Sequence, residues 1–461
     1  MKIQDIKKFY QVSNTFLKNN QSDEMIGMPY LNPHFPRSIL VEKNKNLNFF
    51  KKFMNYFFRL IFFKNNYNSF SNHKYKYLIL SHFVSHDHLD YSNDFYFGEL
   101  AKKLNYKDVL FVLIDHVGFD KKKVKKKIKG NYIILSKSLN PVIELKLIIV
   151  TLLKVFFHSA SNKNLKLFSL RNIFGSLDNQ RILIQVKKIL NEHNFRSFFF
   201  TFEGNPYEKL ICKEISRSNK KLKKIGYQFS VLRKFQNSIF SFIDKEFDPD
   251  IIMTIGDYNK KLLFSKFKKR SKIYNLGLFK KKQKIVPKNY IIKKKKFQIL
   301  VMPEGIPSEI NLFLDYCLRN RNNHIQFNFR LHPIFSSNEM YLKKINNKNA
   351  NIKISNNKLD KDIKNNNFLL YRGSAAVIDV VNSGLIPIYL KEKNEVSIDP
   401  LFEVNKKYSV NFEGNLLNFL KKNHKSQNFK KELIKIQKFT KLFYDKPNFP
   451  KLIKLLSENI I

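Results

Sequence analysis

The chain has 461 residues, 85 of them Lys or Arg and 37 Asp or Glu, with a formal net charge of +48. This length predicts two domains, and a hydrophobic content of 43% supplies enough apolar surface for two cores, which argues against disorder. The cations occur in scattered short runs and not in one stripe with stacking aromatics, so nucleic acid is not the expected ligand. Anionic lipid or a negatively charged substrate fits this charge better.

Cysteine content and the N-terminus exclude some classes of protein. Cys212 and Cys317 lie in helical patterns, which predicts neither a disulfide framework nor a cysteine metal site. The opening sequence MKIQDIKKFYQVSN lacks the apolar run typical of a secretory signal, so we expect a cytoplasmic protein. No apolar run is long enough to predict a membrane span.

Two apolar and basic segments, 47–63 and 142–157, are compatible with helices in a membrane interface. For 142–157 the alternative, an internal helix that covers a sheet, is favoured. The segment 47–63 lies outside the strand–helix alternation and carries aromatic residues on most helical faces. We therefore expect it to enter the lipid interface, the alternative being that it packs under the first domain.

From residue 75 onward, short apolar runs alternate with helical patterns, and the first of these patterns predicts a helix over 93–105. The predicted strands are 75–83, 109–116, 131–138, 196–204, 223–230, 248–257 and 272–279, then 297–305, 326–333, 350–356, 368–374 and 385–390. Uniformly apolar strands separated by helices predict βαβ units and parallel sheets covered on both faces.

The charged segment 280–296, which has no apolar face, predicts a linker between domains. We expect an N-terminal extension (1–70), a Rossmann-like acceptor domain (71–285) and a Rossmann-like donor domain (286–430). C-terminal helices (431–461) should cross back onto the first domain. The predicted fold class is α/β, with two doubly wound domains facing each other across a cleft.

Polar residues and glycines fall at the carboxyl ends of these strands, where ligands bind in such folds. In the first domain these residues are His82, His86, His88, Asp90, His116, Glu203, Gly204 and Asp257. In the second they are Glu304, Gly305, Arg330, His332, Arg372, Gly373 and Ser374.

The stretch SHDHLDYS, residues 85–92, looks like the start of the H-x-H-x-D-H signature of metallo-β-lactamase-like hydrolases. Its sixth position is Tyr91 and not histidine, and the strand–helix alternation does not predict that sandwich fold. We therefore expect no metal at His86, His88 and Asp90. The loop is instead predicted to bind a carbohydrate acceptor.

Four motifs carry a resemblance to a known group of enzymes: FTFEGNPYEKL, GYQFS, RLHP and YRGSAAVIDVVNSGLIPIYL. In this order they resemble the bacterial surface-carbohydrate biosynthesis glycosyltransferases of GT-B architecture. They are also similar to sialyl- and polysialyltransferases and to CDP-glycerol glycerophosphotransferases. The likeness covers roughly residues 75–405. Its three family motifs fall on Glu203-Gly204, His332-Pro333 and Ser374.

The resemblance implies a metal-independent, inverting glycosyltransferase that builds a cell-surface polysaccharide. Its donor would be a nucleotide-activated sugar, with a cytidine nucleotide favoured, and no cofactor is expected. The acceptor would be lipid-linked or a polysaccharide, and the protein would lie peripherally on the anionic inner face of the plasma membrane. Two alternatives stay open, a CDP-glycerol-type glycerophosphotransferase and a non-catalytic GT-B scaffold. The scaffold stays open because RGSAA lacks the second hydroxyl that many related sequences carry.

Glu203 is the predicted catalytic base, which takes the proton of the acceptor hydroxyl. The apolar strand before it should desolvate the carboxylate and raise its pKa. Gly204, Asp257 and the histidine loop with His82 are assigned to the acceptor. By contrast, Glu208 and Lys209 in the next helix are expected on a solvated surface.

On the donor side, Ser374 is predicted to be the N-cap of a helix, a position suited to phosphate. Arg372 could pair with phosphate or reach solvent. His332 is expected to donate to a phosphate oxygen, with Arg330 on the same face of its strand. Glu304 and Gly305 occupy the equivalent position after the first strand of this domain.

Overall fold

The structure is a computed structural model. It describes residues 67–69, 74–86, 89, 94–123, 130–158, 173–218, 221–233, 237–240, 242–280, 296–332, 351–393, 398–405, 408–424 and 428–458. The segment 47–63, predicted to enter lipid, lies outside the described residues.

The described residues form two compact units. The N-terminal unit contains those within Lys7–Phe229, Gln236–Lys281 and Asp445–Ile461. The C-terminal unit contains those within Ser230–Phe235 and Lys282–Tyr444. The chain therefore contributes a short segment to the C-terminal unit before completing the N-terminal one, and its last residues belong to the N-terminal unit.

The sheet of the N-terminal unit has the strand order β1-β4-β3-β2-β5-β6-β7-β8. Its strands are β1 (Tyr67–Ser69), β2 (Tyr77–Phe83), β3 (Val109–Asp115), β4 (Tyr132–Ile134), β5 (Ser197–Thr201), β6 (Lys223–Gln228), β7 (Ile251–Thr254) and β8 (Lys272–Asn275). Strands β2 to β8 run parallel, and β1 pairs antiparallel with β4 at the edge.

The sheet of the C-terminal unit is parallel throughout its described strands, in the order β11-β10-β9-β12-β13-β14. These strands are β9 (Phe297–Met302), β10 (Ile325–Phe329), β11 (Ile352–Ile354), β12 (Phe368–Tyr371), β13 (Ile386–Lys391) and β14 (Tyr408–Asn411).

Helices connect the strands of both sheets. They are α1 (Leu100–Lys103), α2 (Pro141–His158), α3 (Ile173–Glu192), α4 (Pro206–Arg217), α5 (Asn237–Phe240), α6 (Asp257–Phe267), α7 (Pro307–Arg319), α8 (Leu359–Asn365), α9 (Val377–Asn382), α10 (Leu416–His424), α11 (Asn428–Thr440) and α12 (Phe449–Ser457). Short 3-10 turns occupy Tyr106–Asp108, Lys121–Lys123, Lys245–Phe247 and Lys441–Phe443.

Both sheets are doubly wound. The parallel part of each begins with a central strand, β2 or β9, adds two strands on one side, and then adds the remaining parallel strands on the other. The direction of winding therefore reverses between β2 and β5 and between β9 and β12, and ligands of such folds bind at this switch point. The predicted α/β class with two parallel sheets is confirmed.

The strands are apolar because helices cover both faces of each sheet. In β5, for example, Phe198, Phe199 and Phe200 are all fully buried. The long helices α2 and α3 are joined by a buried ion pair between Glu144 and Arg181. None of the described helices is long and apolar enough to cross a membrane.

One local expectation was wrong. The helical pattern predicted across 93–105 yields only α1, because the Asp94 carboxylate accepts hydrogen bonds from the N–H groups of Tyr96 and Phe97 and forms a turn instead. Gly98 then adopts φ +51°, and an added Cβ there would collide with the Phe279 carbonyl. Local bonding by an aspartate therefore overrides helical periodicity.

Candidate functional site

Three polar side chains meet at the switch point of the N-terminal sheet. His82 lies near the end of β2, His116 directly follows β3, and Thr201 ends β5. His82 Nδ1 lies 2.8 Å from His116 Nε2, and His82 Nε2 lies 3.0 Å from Thr201 Oγ1. Because β2, β3 and β5 are parallel neighbours, their carboxyl ends bring these groups together, although 34 and 119 residues separate them in sequence.

Burial keeps the two histidines neutral. Desolvation lowers the pKa of His82 to about 3, with a smaller contribution from His116. Desolvation is also the main cause of the lowered pKa of His116. In the contact between the two neutral rings, one nitrogen donates and the other accepts. The position of the proton on His82 therefore determines the direction of its hydrogen bonds to His116 and to Thr201.

The hydrogen-bonded chain continues beyond Thr201. Its hydroxyl bonds to the Tyr207 phenol, and Asn205 Nδ2 lies 3.4 Å from the same phenol oxygen. The negative charge of Glu203, after desolvation, contributes to the raised pKa of both Tyr96 and Tyr207. Glu203, the predicted base, is therefore close enough for its charge to act on Tyr207, which belongs to the same hydrogen-bonded group as the two histidines.

The turn that carries Glu203 is built on a buried carboxylate. Glu208 Oε2 accepts the backbone N–H groups of Glu203, Gly204 and Asn205 at 2.8–3.0 Å. Burial raises the pKa of Glu208 to about 8. Gly204 has φ +78°, and an added Cβ would lie 2.5 Å from the backbone of Ser238 and Ile239. Only glycine fits here.

The prediction that Glu208 and Lys209 lie on a solvated surface was wrong, because both side chains are fully buried. Glu208 forms a capping box with Asn205 at the start of α4. Lys209 pairs with Asp248 at 3.3 Å, and Arg270 binds the second oxygen of the same carboxylate at 2.9 Å. Lys209 and Asp248 keep their buried charges because each has an opposite partner.

The histidine loop after β2 is described in part. His86 Nε2 accepts the backbone N–H of Asp120 at 3.0 Å, and its ring stacks on Phe119. His86 therefore holds the loop that follows β3. His88 and Asp90 lie outside the described residues. Within the described part of the chain, no group of three or more His, Cys, Asp or Glu side chains could hold a metal ion.

Asp257 lies in the first turn of α6, where its carboxylate accepts a hydrogen bond from Asn275 Nδ2 at 2.8 Å. The same amide donates to Asp445 at 2.5 Å. Asp257 follows β7, two strands away from β5 in the sheet. It is exposed, but the strand order separates it from the group around His82.

At the switch point of the C-terminal sheet an ion pair takes the place of the histidines. Glu304 follows β9 and pairs with Arg233 at 2.9 Å. The same Arg233 nitrogen donates to the Gly373 carbonyl after β12, also at 2.9 Å. Arg233 comes from the short segment Ser230–Phe235 that the chain contributes to this unit early.

Gly305 and His332 are brought together as neighbouring strand ends. A Cβ added to Gly305 would lie 2.8 Å from His332 Nδ1, so the absent side chain makes room for the imidazole. Desolvation lowers the pKa of His332. Arg330 donates to Asp362 Oδ2 at 2.9 Å and to the Asn357 carbonyl at 2.7 Å. Its guanidinium is thus tied to α8. Pro333 lies outside the described residues.

Arg372 requires a correction. Its side chain is 2% exposed, and Nε bonds both oxygens of Glu309 at 3.1 Å while Nη1 donates to the Leu390 carbonyl. A guanidinium held in this way does not reach solvent, which was one of its two predicted alternatives. Its role in the structure is to join α7 to β12 and β13.

The prediction that Ser374 is the N-cap of a helix is also wrong. Helix α9 begins at Val377 and its N-cap is Ala376, two residues beyond the serine. The Ser374 carbonyl accepts the Val377 N–H at 3.2 Å, so the serine opens a preceding turn. Ser374 still directly follows Gly373, next to the Arg233 contact.

Several residues of these two clusters escaped the sequence reasoning. Thr201 is the hydroxyl residue at the carboxyl end of the apolar strand SFFFT, which is a signal that could have been used. Tyr207 and Arg233 carry no such signal, because each reaches its partner through tertiary packing. For Arg233 the partner, Glu304, is 71 residues away.

No protein-family model matches the chain, and neither does any curated protein. Among solved structures, the glycotransferase of kitacinnamycin has a TM-score of 0.50 and 8% identity, over 84% of this chain and 100% of that chain. A putative UDP-N-acetylglucosamine 2-epimerase from Listeria monocytogenes has a TM-score of 0.49 and 10% identity, over 83% of this chain and 95% of that chain. The calicheamicin glycosyltransferase has a TM-score of 0.49 and 8% identity, over 84% and 100%.

The first of these similarities covers the whole of the other chain. At 8% identity it shows the fold and nothing about the reaction. Together with two doubly wound parallel sheets, it identifies the fold of this chain as GT-B, as the sequence predicts.

Proposed function

We propose that this protein transfers a glycosyl residue from a nucleotide-activated sugar to a carbohydrate acceptor. The observation that carries the proposal is the GT-B fold with polar side chains at both switch points. In doubly wound sheets these are the positions where ligands bind. The N-terminal unit would bind the acceptor and the C-terminal unit the donor.

The proposed reaction is a single displacement with inversion at the anomeric carbon. The acceptor oxygen bonds to the anomeric carbon while the bond between that carbon and the donor's phosphate oxygen breaks. The nucleotide leaves with the electron pair of the broken bond. Glu203 takes the proton of the acceptor hydroxyl. His332 donates a hydrogen bond to a phosphate oxygen, where negative charge develops. No metal ion or other cofactor takes part in this proposal.

Finer assignments come from the sequence resemblance. We infer a cytidine nucleotide, a lipid-linked or polysaccharide acceptor, and a cell-surface polysaccharide as product. The charge of +48 supports peripheral attachment to an anionic membrane face. A CDP-glycerol-type glycerophosphotransferase would use the same nucleotide, and mass spectrometry of the product distinguishes glycerol phosphate from sugar.

Calorimetry with CMP, CDP, UDP and GDP tests the proposal. We expect binding of CMP or CDP, and weaker binding by His332→Ala, because the imidazole lies against Gly305 at the end of β9. His324→Ala, an exposed histidine at another position of the same unit, is the matched control and should bind as the wild type does. Binding of UDP or GDP alone contradicts the cytidine assignment.

A non-catalytic scaffold is the second candidate. The observation in its favour is that carboxylates of the same unit hold three arginines near the donor strands. These pairs are Arg233–Glu304, Arg330–Asp362 and Arg372–Glu309. A scaffold predicts that none of the four nucleotides binds, whereas an enzyme requires at least one. Failure of all four nucleotides to bind would reject the proposed transfer.

A further inference from the structure

Helix α2 exposes an unusual amount of apolar surface. Val142, Ile143, Leu145, Ile149 and Leu153 are each 47% to 76% exposed, although large aliphatic side chains normally lie inside. The sequence favoured an internal position for this helix. A run of such residues on one helix indicates a surface that binds something apolar.

The exposed side chains form one stripe. At 100° per residue, Val142, Leu145, Ile149 and Leu153 fall within an arc of about 80° on the helix. The opposite side is buried at Glu144, Leu147 and Thr151, and Glu144 pairs with Arg181 of α3. Packing against α3 therefore fixes the rotation of the helix and directs the stripe outward.

The exposed charge of α2 beside this stripe is positive. Glu144 is the one acidic residue of α2 and is neutralised inside by Arg181, whereas Lys146 is exposed about 40° from Val142 on the helix. The loops that follow β3 and β4 add three cations, Lys121, Lys122 and Lys137, against the two carboxylates of Asp115 and Asp120.

These loops are close to one another. Lys137 Nζ lies 3.9 Å from Asp115, the last residue of β3, and 3.8 Å from where a Cβ on Gly118 would lie. The residues after β3 and after β4 thus lie at the same edge of the sheet, from which α2 starts. An apolar stripe bordered by cations matches the interface of an anionic bilayer.

We propose that the outward face of α2 docks on an anionic lipid surface, with the helix lying in the plane of the headgroups. A second copy of the chain is a less suitable occupant, because a twofold contact would bring the two cationic borders together. The inference rests on the proposed membrane attachment, and not on glycosyl transfer. Its test therefore needs no turnover.

Co-sedimentation of the full chain with phosphatidylglycerol–phosphatidylcholine vesicles tests the face. Ile149→Ser with Leu153→Ser should lower the partition coefficient roughly tenfold or more, since two aliphatic side chains no longer enter the interface. The matched control is Phe264→Ser with Ile453→Ser, two side chains of similar exposure on α6 and α12. This control should bind as the wild type does.

Binding should weaken with salt and nearly vanish on pure phosphatidylcholine, because the cations contribute. Unchanged binding of the α2 variant overturns the inference, for instance if 47–63 alone attaches the protein. Equal losses in both double variants would likewise reject a specific role for α2.

A labelling experiment covers the case in which the double variant fails to fold. Cys212 and Cys317 are fully buried, so a cysteine introduced by Ile149→Cys can be labelled selectively with an environment-sensitive fluorophore. We expect a blue shift on adding anionic vesicles, and quenching by brominated lipid, with no response from Ile453→Cys. A blue shift that rises with protein concentration without lipid indicates a second copy and overturns the proposal. A fluorophore that reports an apolar environment at all protein concentrations without lipid indicates that other residues of this chain cover the face. This result also overturns the proposal.

Discussion

The two sheets of this protein share a winding order but differ at their switch points. In the N-terminal unit His82 and Thr201 join β2 to β5 through uncharged groups, and His116 extends the contact. In the C-terminal unit Arg233 joins the residues after β9 and β12 through a charged pair with Glu304. One topology thus supports two kinds of chemistry.

The difference matters because the two kinds of group respond differently to a substrate. A neutral imidazole and a hydroxyl can pass a proton along their hydrogen bonds. A paired guanidinium can only orient and neutralise, since it stays protonated. We therefore expect changes at the N-terminal switch point to affect turnover, and changes in the C-terminal ion pairs to affect nucleotide binding and stability.

The largest effect is expected from Glu203→Gln. The amide keeps the shape of the side chain but cannot accept the acceptor proton, so the rate of transfer should fall about 10²- to 10⁴-fold. Nucleotide affinity measured by calorimetry should stay unchanged, because the change lies in the N-terminal unit. The control is Glu99→Gln, an exposed carboxylate of the same unit. Near-normal turnover of Glu203→Gln would remove this residue from the base role.

A second expected effect is on stability. Glu309→Ala removes the carboxylate that pairs with the buried Arg372 guanidinium, which should lower the free energy of unfolding by about 3–5 kcal/mol. The matched control is Glu413→Ala, which breaks the pair with Arg319 where the two side chains are 78% and 43% exposed. There we expect about 0–1 kcal/mol in chemical unfolding.

The double variant Glu309→Leu with Arg372→Met should recover most of the loss, because it removes both charges and fills the space. Equal effects of Glu309→Ala and Glu413→Ala would contradict the assignment of Arg372 as a structural residue. They would also reopen its predicted role at the donor phosphate.

The fold could be predicted because apolar runs identify strands regardless of what they contact. The switch-point residues at the carboxyl ends of those runs, such as His82 and Glu304, were predictable for the same reason. Arg372 and Glu208 were not, since nothing in their local sequence distinguishes an arginine or glutamate that faces solvent from one with a buried partner. Their partners, Glu309 and the backbone of residues 203–205, are determined by packing.

Local backbone chemistry accounts for another error. The periodicity of 93–105 predicts a helix, but Asp94 also accepts a hydrogen bond from Ser81 Oγ, on β2. That contact depends on the position of a strand 13 residues earlier. A single-segment pattern contains no such information. Turns of this kind are therefore where sequence periodicity fails.

The smallest expected effect concerns acid. The folded pKa of His82 is about 3 and the unfolded value 6.5, so between these values the unfolded chain binds the additional proton. Stability from this group is complete above pH 6.5 and is lost as the pH falls toward 3. Between pH 6.5 and about pH 4.5 the loss should be about 2 kcal/mol.

The variant His82→Gln should reduce this acid dependence, because glutamine can bond to Thr201 or His116 but does not titrate. Chemical unfolding at several pH values measures the slope, and His324→Gln, at an exposed position, is the control whose slope should match the wild type. If His82→Gln keeps the full slope, the proton is taken up elsewhere. The neutral histidine pair would then not distinguish the N-terminal switch point from the C-terminal one.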